Sequence, residues 1–421
     1  MNKLFRLLIL PALLSVFALG QAQENVLYSF GGYSNQDGGE PVGKLVFDNA
    51  GNLYGTTTRG GLNGYGSVFE LSPNIDGSWK ESILYNFCSQ SSDYQCLDGA
   101  YPEAGLVIDS AGNLYGTSSQ GGGICPRGTL GCGEVFELSP PAQLGDAWTY
   151  SALYKFCSVQ QNGTCLDGAV PYSKLTFDAE GNLYGTATNG GSTYNAGGVV
   201  FELSPSQGAW TESVLYNFCS VGKGEHCLDG YDPIAGVSFD KSGNIYGTTY
   251  YGGSSKYSGS GVVYKLVHGA NGWTETVLAT FLNGPLGGNP MGEVNFDAAG
   301  NLYSTTSFGG DYHSYGTVFR IDPSTNKILA LSFNNTDGGT PLAGVSIDEK
   351  TGAIYGTAST GGEYGGGVLY KISGRTETVI YNFGGLAEPD GALITDQAGN
   401  FYGVTKQGGN DQEGTVYEII P

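Results

Sequence analysis

Histidine is scarce in this chain, with three among 421 residues, and methionine scarcer still at two. No C-x-x-C pair occurs, no two histidines stand at helical ligand spacing, and the HExxH pattern is absent, so the sequence carries no zinc signature. The D-x-D-x-D-G loop of a calcium-binding helix pair is missing, and so is the G-x-S-x-G elbow of a serine nucleophile. Basic residues are few: 18 Lys and Arg face 39 Asp and Glu. Such a balance repels nucleic acid and anionic lipid, so neither is expected as a partner. No helical periodicity runs through the chain, and after Leu19 there is no long apolar stretch, so membrane insertion is not expected.

The one apolar run, Leu7 to Leu19, follows Lys3 and Arg6 and precedes Gly20-Gln21-Ala22. A charged start, an apolar core and a small-residue site read as a secretory signal over residues 1–22, leaving 23–421 as one exported, soluble, monomeric domain in the periplasm, outside the cell or at its surface. Without Lys3 and Arg6, 16 basic residues stand against 39 acidic ones.

Glycine, by contrast, is abundant, at 72 residues. It recurs at fixed places within a repeated phrase. DNAGNLYGTTTRGG stands at 48–61 and DSAGNLYGTSSQGG at 109–122; variants begin at Asp178, Asp240, Asp297, Asp348 and Asp396. The intervals are 61, 69, 62, 57, 51 and 48 residues, a period that points to a propeller or a solenoid. Each unit holds four short β segments, as in SKLTFD, NLYGTAT, GVVFELS and ESVLYNF between residues 173 and 218. Four antiparallel strands per repeat make a propeller blade. The last unit stops after GTVYEII (414–420), and its missing fourth segment, VLYSF, stands at 26–30. The sequence therefore predicts an all-β, seven-bladed propeller closed by an N-terminal strand that completes the last blade, which removes the exposed edge. Asp-x-x-Gly-Asn is the tight turn from innermost to second strand, and the Tyr after it packs between blades.

The phrase D-x-x-G-N-L-Y-G-T-T-x-x-G-G, then G-x-V-F-E-L-S-P, then L-Y-x-F, resembles the Gloeo-Verruco (GloVer) tandem repeat across residues 26–420. The resemblance implies an exported bacterial protein. It implies no established activity and supplies no catalytic residues.

Eight cysteines pair by proximity. Cys88 with Cys96, Cys157 with Cys165 and Cys219 with Cys227 each enclose seven residues; Cys125 with Cys132 encloses six. In an exported chain this spacing argues for four disulfides, zinc being the weaker alternative. The first three pairs fall in loops from an outer strand to the next innermost strand, the fourth between second and third strands. Both loop sets emerge on one face, which becomes the candidate working face.

Three residue sets on or near that face are candidates. Asp37, Asp98, Asp167, Asp229 and Asp337 each precede a proline by four residues and form a candidate ring of channel-mouth carboxylates for Ca²⁺ or a cationic group; Asp-Gly is equally ordinary turn chemistry. Tyr65, Tyr194, Tyr257, Asp311, Tyr312, His313 and Tyr315 lie in the loops between second and third strands. They suit a glycan or a protein ligand, against the alternative that the rings pack over glycine backbone. On the pore-facing strand Lys44, Lys174 and Glu293 replace the Gly or Ala of other repeats. Trp79, Trp148, Trp210 and Trp273 open outer strands and read as hairpin caps. The expected function is a binding or scaffold module without cofactor; the alternative is a carbohydrate-active hydrolase or lyase using carboxylates at the channel mouth.

Overall fold

The computed structural model describes residues 22–93, 95–123, 125, 130–143, 145–193, 196–206, 208–223, 226–254, 259–311 and 314–421. The candidate export signal lies outside them apart from Ala22. Seven antiparallel sheets, each ordered from inner to outer strand, surround one axis. Blade one comprises Gly38–Phe47, Leu53–Gly60, Ser67–Pro73 and Trp79–Asn86. Blade seven takes Pro389–Thr395, Phe401–Thr405 and Thr415–Ile420 from the C-terminal end and Gln23–Ser29 from the N-terminal end. The closure runs from Gln23 opposite Ile420 to Ser29 opposite Thr415. The seven-bladed ring and its closure are thus as the repeat predicts. Among the described residues no helix is long and apolar enough to cross a membrane.

The turn phrase works as its residue types require. Asp48 Oδ1 accepts the amide hydrogens of Ala50 and Asn52, and its Oδ2 accepts Asn52 Nδ2 at 2.8 Å and Tyr54 Oη at 3.1 Å. Gly51 between them has φ +87°, where a side chain is strained. The glycine of L-Y-G has a different cause: a Cβ on Gly55 would stand 2.5 Å from Phe69 Cζ, so the third-strand ring occupies the space a side chain would need.

Two features depart from the sequence reading. The innermost strands of blades two, three, four and six shrink to two paired residues, such as Thr176–Phe177, because the glycine- and proline-bearing approach to the axis leaves the ladder. The tryptophans do more than cap hairpins. Trp148 packs edge-on at 6.0 Å against Tyr54 of blade one, and Trp210 at 6.3 Å against Tyr115 of blade two. They fill the seams between blades.

All four disulfides are present as spaced. Three of them staple small hairpins, Ser91–Ser92 with Gln95–Cys96 and its counterparts in the next two such loops.

Candidate functional site

The geometry of the channel mouth begins with a backbone device. In every blade the residue before the repeated proline is left-handed: Glu40, Tyr101, Val170, Asp232, Asn289, Thr340 and Glu388 have φ between 52° and 59°. Non-glycine residues rarely adopt this conformation. Each is held by its amide, which donates to a carbonyl of the preceding blade; Tyr101 donates to Tyr65 O at 2.9 Å and Asp232 to Gly197 O at 3.0 Å. The twist turns the chain towards the axis and sends alternate side chains of the next residues into the channel.

The resulting cavity, of about 690 Å³, has two levels. Glu103, Tyr172, Asp232, Tyr250, Asp390 and Lys406 line the mouth. Below them stand Lys44, Lys174 and Glu293. Lys174 Nζ pairs with Glu293 Oε2 at 3.0 Å. Lys44 has no hydrogen-bond or ion-pair partner among the described residues. Burial, reinforced by Lys174 and opposed by Glu293, pulls its ammonium below the usual lysine range.

Electrostatics at the mouth run the other way. Burial pushes the Glu103 carboxyl up to about 7; Asp390 and Glu40 add to the rise while Lys406 and Arg59 oppose it. Asp390 is raised by burial and by Glu388, against Lys406. Asp232 is raised by burial. Neither Glu103 nor Asp232 accepts a side-chain hydrogen bond from the described residues, so both carboxyls are open to a ligand or to solvent. Arg59 and Lys406 are engaged with Glu40, at 3.2 and 4.0 Å.

The five predicted channel-mouth aspartates are a correction. None of Asp37, Asp98, Asp167, Asp229 and Asp337 lines the channel. Asp98, Asp167 and Asp229 are buried at the blade corners. Asp98 Oδ2 accepts Tyr85 Oη at 2.6 Å, Ser89 N at 2.8 Å and Ser89 Oγ at 2.6 Å. Asp37 takes Tyr28 Oη at 3.0 Å and Gly31 N at 2.8 Å; Asp337 takes Asn334 N at 2.8 Å. Their oxygens hold loop amides and, in all but Asp337, the tyrosine of L-Y-x-F, the turn chemistry that was the other reading. The mouth carboxyls are instead Glu103, Asp232 and Asp390, which sequence reasoning passed over. The available signal was the pair of positions flanking each repeated proline, whose residues differ from blade to blade.

Of the aromatic candidates, Tyr65 packs edge-on against Tyr101 at 5.4 Å. Tyr315 packs against the core of blade six, and its carbonyl accepts Thr340 N at 2.8 Å. Both are engaged as packing groups. Asp311 is exposed, with its amide donating to Ser332 Oγ at 3.0 Å, at one end of a groove between blades five and six. Tyr194, Tyr257, Tyr312 and His313 lie outside the described residues. Among those described, one cysteine group has metal-ligating spacing: Cys132, Cys157 and Cys165. All three sulfurs are already joined in disulfides.

The repeat profile described as Gloeobacter/Verrucomicrobia repeat matches residues 15–259 and again 233–421. No curated protein matches the chain. Among solved structures, the WD40 propeller domain of Doa1 aligns over 95% of this chain and 97% of its own, with 11% identity and a TM-score of 0.51, a likeness of fold. Two provisionally assigned 6-phosphogluconolactonases align less well. The one from Bacteroides uniformis covers 85% of this chain and 94% of its own at 12% identity and TM-score 0.48. That from Bacteroides fragilis covers 80% and 82% at 12% identity and TM-score 0.45.

Proposed function

The chain belongs to the Gloeobacter/Verrucomicrobia repeat family, and from that premise we propose that it is an extracytoplasmic propeller that binds a glycan at its channel mouth. One observation carries this reading. Three carboxyl groups, Glu103, Asp232 and Asp390, and two tyrosines, Tyr172 and Tyr250, converge on a single cavity of about 690 Å³. Sugar hydroxyls donate to carboxylates, and a sugar ring lies against a phenol face, so the lining matches a polyhydroxylated ligand with apolar faces. The mouth opens on the face that carries the disulfide-stapled loops, and four disulfides suit an oxidising compartment reached by export.

The test is binding of the oxidised chain to a broad polysaccharide array, with Glu103→Gln and Tyr172→Ala beside the natural protein. Saturable binding that both variants weaken supports the reading. A blank array directs the search to a protein ligand.

A second reading, glycoside hydrolysis or elimination, is favoured by Glu103 alone. A carboxyl raised to about 7 beside other acids is the state a general acid needs, and Asp390, close enough to add to that rise, is the candidate second carboxyl. On any glycan that binds, new reducing ends or unsaturated products that vanish in Glu103→Gln while binding persists would establish it. Binding without product would exclude it.

A further inference from the structure

Across the seams of the ring, the tyrosine that opens each second strand meets another aromatic ring. Tyr54 meets Trp148; Tyr115 meets Phe177 and Trp210; Tyr184 meets Phe239; Tyr246 meets Phe296; Tyr402 meets Phe47; and Tyr355 meets Phe401. Tyr303 of blade five is the exception: it has no ring contact among the described residues, and it is less buried than Tyr54 or Tyr115.

The cause is a set of local substitutions. Blade six supplies Ile347 where blades one, three, four and five supply a phenylalanine. Its register, Ile372 opposite Glu377 as Leu71 is opposite Glu81 in blade one, puts Arg375 at the place of Trp79. The outer strand of blade five pairs without the bulge seen in the other blades and carries Leu331 where they mostly carry tyrosine. Two or three rings are therefore missing from one seam.

A cavity of about 610 Å³ occupies it, lined by Tyr303, Leu329, Leu331, Ile354, Arg320 and Arg375 among others. Arg320 Nη2 donates to Asn301 Oδ1 at 2.6 Å, while its Nε is buried and has no hydrogen-bond partner. In a chain with 39 acidic residues and only five arginines, two guanidinium groups border one cavity of mixed polar and apolar lining, with Asp311 as its one carboxylate.

We propose that this seam is a binding site, separate from the channel, for a small planar aromatic carboxylate. The ring takes the place of the absent indole against Tyr303 and the leucines, and the carboxylate pairs with Arg320 and Arg375. Guanidinium groups recognise carboxylates through paired N–H donors, and an aromatic ring regains the edge or offset contact the other seams already have.

The test is calorimetric titration of the full oxidised chain with indole-3-acetate as probe, and with indole-3-acetamide as its uncharged analogue. One saturable site for the acid is expected, with the amide at least about tenfold weaker. Arg375→Trp, which restores the residue of blades one to four, is expected to abolish binding and raise the melting temperature. If that variant does not fold, the exposed Arg375→Ala replaces it, and its affinity for the acid should drop towards that of the amide. No saturable binding, equal affinity for acid and amide, or unchanged binding in these variants would overturn the proposal.

Discussion

Tyr154 Oη donates to Asp167 Oδ2 at 2.7 Å, and the same carboxylate takes the amide hydrogens of Ser158 at 2.8 Å and Val159 at 3.2 Å. One buried aspartate thus ties the outer strand of blade two to the loop that starts blade three. Charge-assisted bonds to a buried group contribute more than neutral ones, and their loss leaves donors stranded. Asp167→Ala should destabilise the chain by about 3 kcal/mol and Tyr154→Phe by about 1 kcal/mol. Denaturant unfolding of both variants checks the order and the size.

A second prediction concerns pH. Burial, with Asp37, Asp167, Asp229 and Asp337 respectively adding to it, pushes Glu81 up to about 7, Glu212 to about 8, Glu275 to about 7 and Glu377 to about 8. Their folded-state values lie above the unfolded value. The stability they contribute is full below about 4.5 and is lost as pH rises through 7 to 8. The turn aspartates Asp109, Asp178, Asp240 and Asp297 work oppositely. Burial alone would raise them, but the hydrogen bonds from Asn113, Asn182, Asn244 and Asn301 and their neighbours outweigh it and hold them low. Their contribution is present above about 3.8 and fades as pH falls below that. Melting temperature should therefore peak near pH 4.5 to 6 and fall towards pH 9. Glu212→Gln should reduce the alkaline loss; a curve flat from pH 5 to 9 would contradict the assignment.

The disulfides allow a third prediction. Each short loop closed by Cys88–Cys96, Cys157–Cys165 or Cys219–Cys227 restricts the unfolded chain by about 2.5 kcal/mol in the loop-entropy estimate. Replacing one pair by serines should cost about that much. Mass mapping of the oxidised protein should find no free thiol, in line with the pairing of all eight cysteines.

Much of this was legible before any coordinates. The phrase from Asp48 to Gly61 repeats because a turn and a tyrosine recur in each blade, and a glycine facing a third-strand ring recurs in all but blade five, where Ser304 stands; these are short-range requirements that a sequence states directly. The closing strand was legible because V-L-Y-S-F is an outer strand without its blade. Channel-facing residues were not, apart from Lys44, Lys174 and Glu293. The left-handed twist at Glu40 or Asp232 decides which side chains reach the axis, and the repeated proline that follows marks the position but not this conformation, which non-glycine residues rarely adopt. The five turn aspartates shared a loop position with the mouth but not a direction. The sequence did hold one clue to their role. Blade four has Ala279 where blade three has Tyr216, and the following loop has Leu286 where the loop after blade three has Asp229. Donor and acceptor are missing together there, whereas blade five keeps Asp337 beside Leu331 and blade six keeps Tyr381 without an aspartate.

Inside the channel, Lys174 and Glu293 allow a fourth prediction. Both are largely withdrawn from water, with side chains 19% and 22% exposed. Lys174→Met alone should cost about 1 to 3 kcal/mol, because it leaves Glu293 without its partner, whereas Lys174→Met with Glu293→Leu should recover most of that loss. A double-mutant cycle with no coupling would mean that solvent in the channel screens the pair.

The most direct test of the account is quantitative binding of the best polysaccharide from an array to the oxidised chain and to Glu103→Gln, Tyr172→Ala and Tyr65→Ala. The account predicts at least tenfold weaker binding for the two channel-mouth variants at unchanged melting temperature, roughly the 1.4 kcal/mol of one lost polar or stacking contact. It predicts little change in affinity for Tyr65→Ala. Full affinity retained in Glu103→Gln and Tyr172→Ala would contradict it and move the site off the channel.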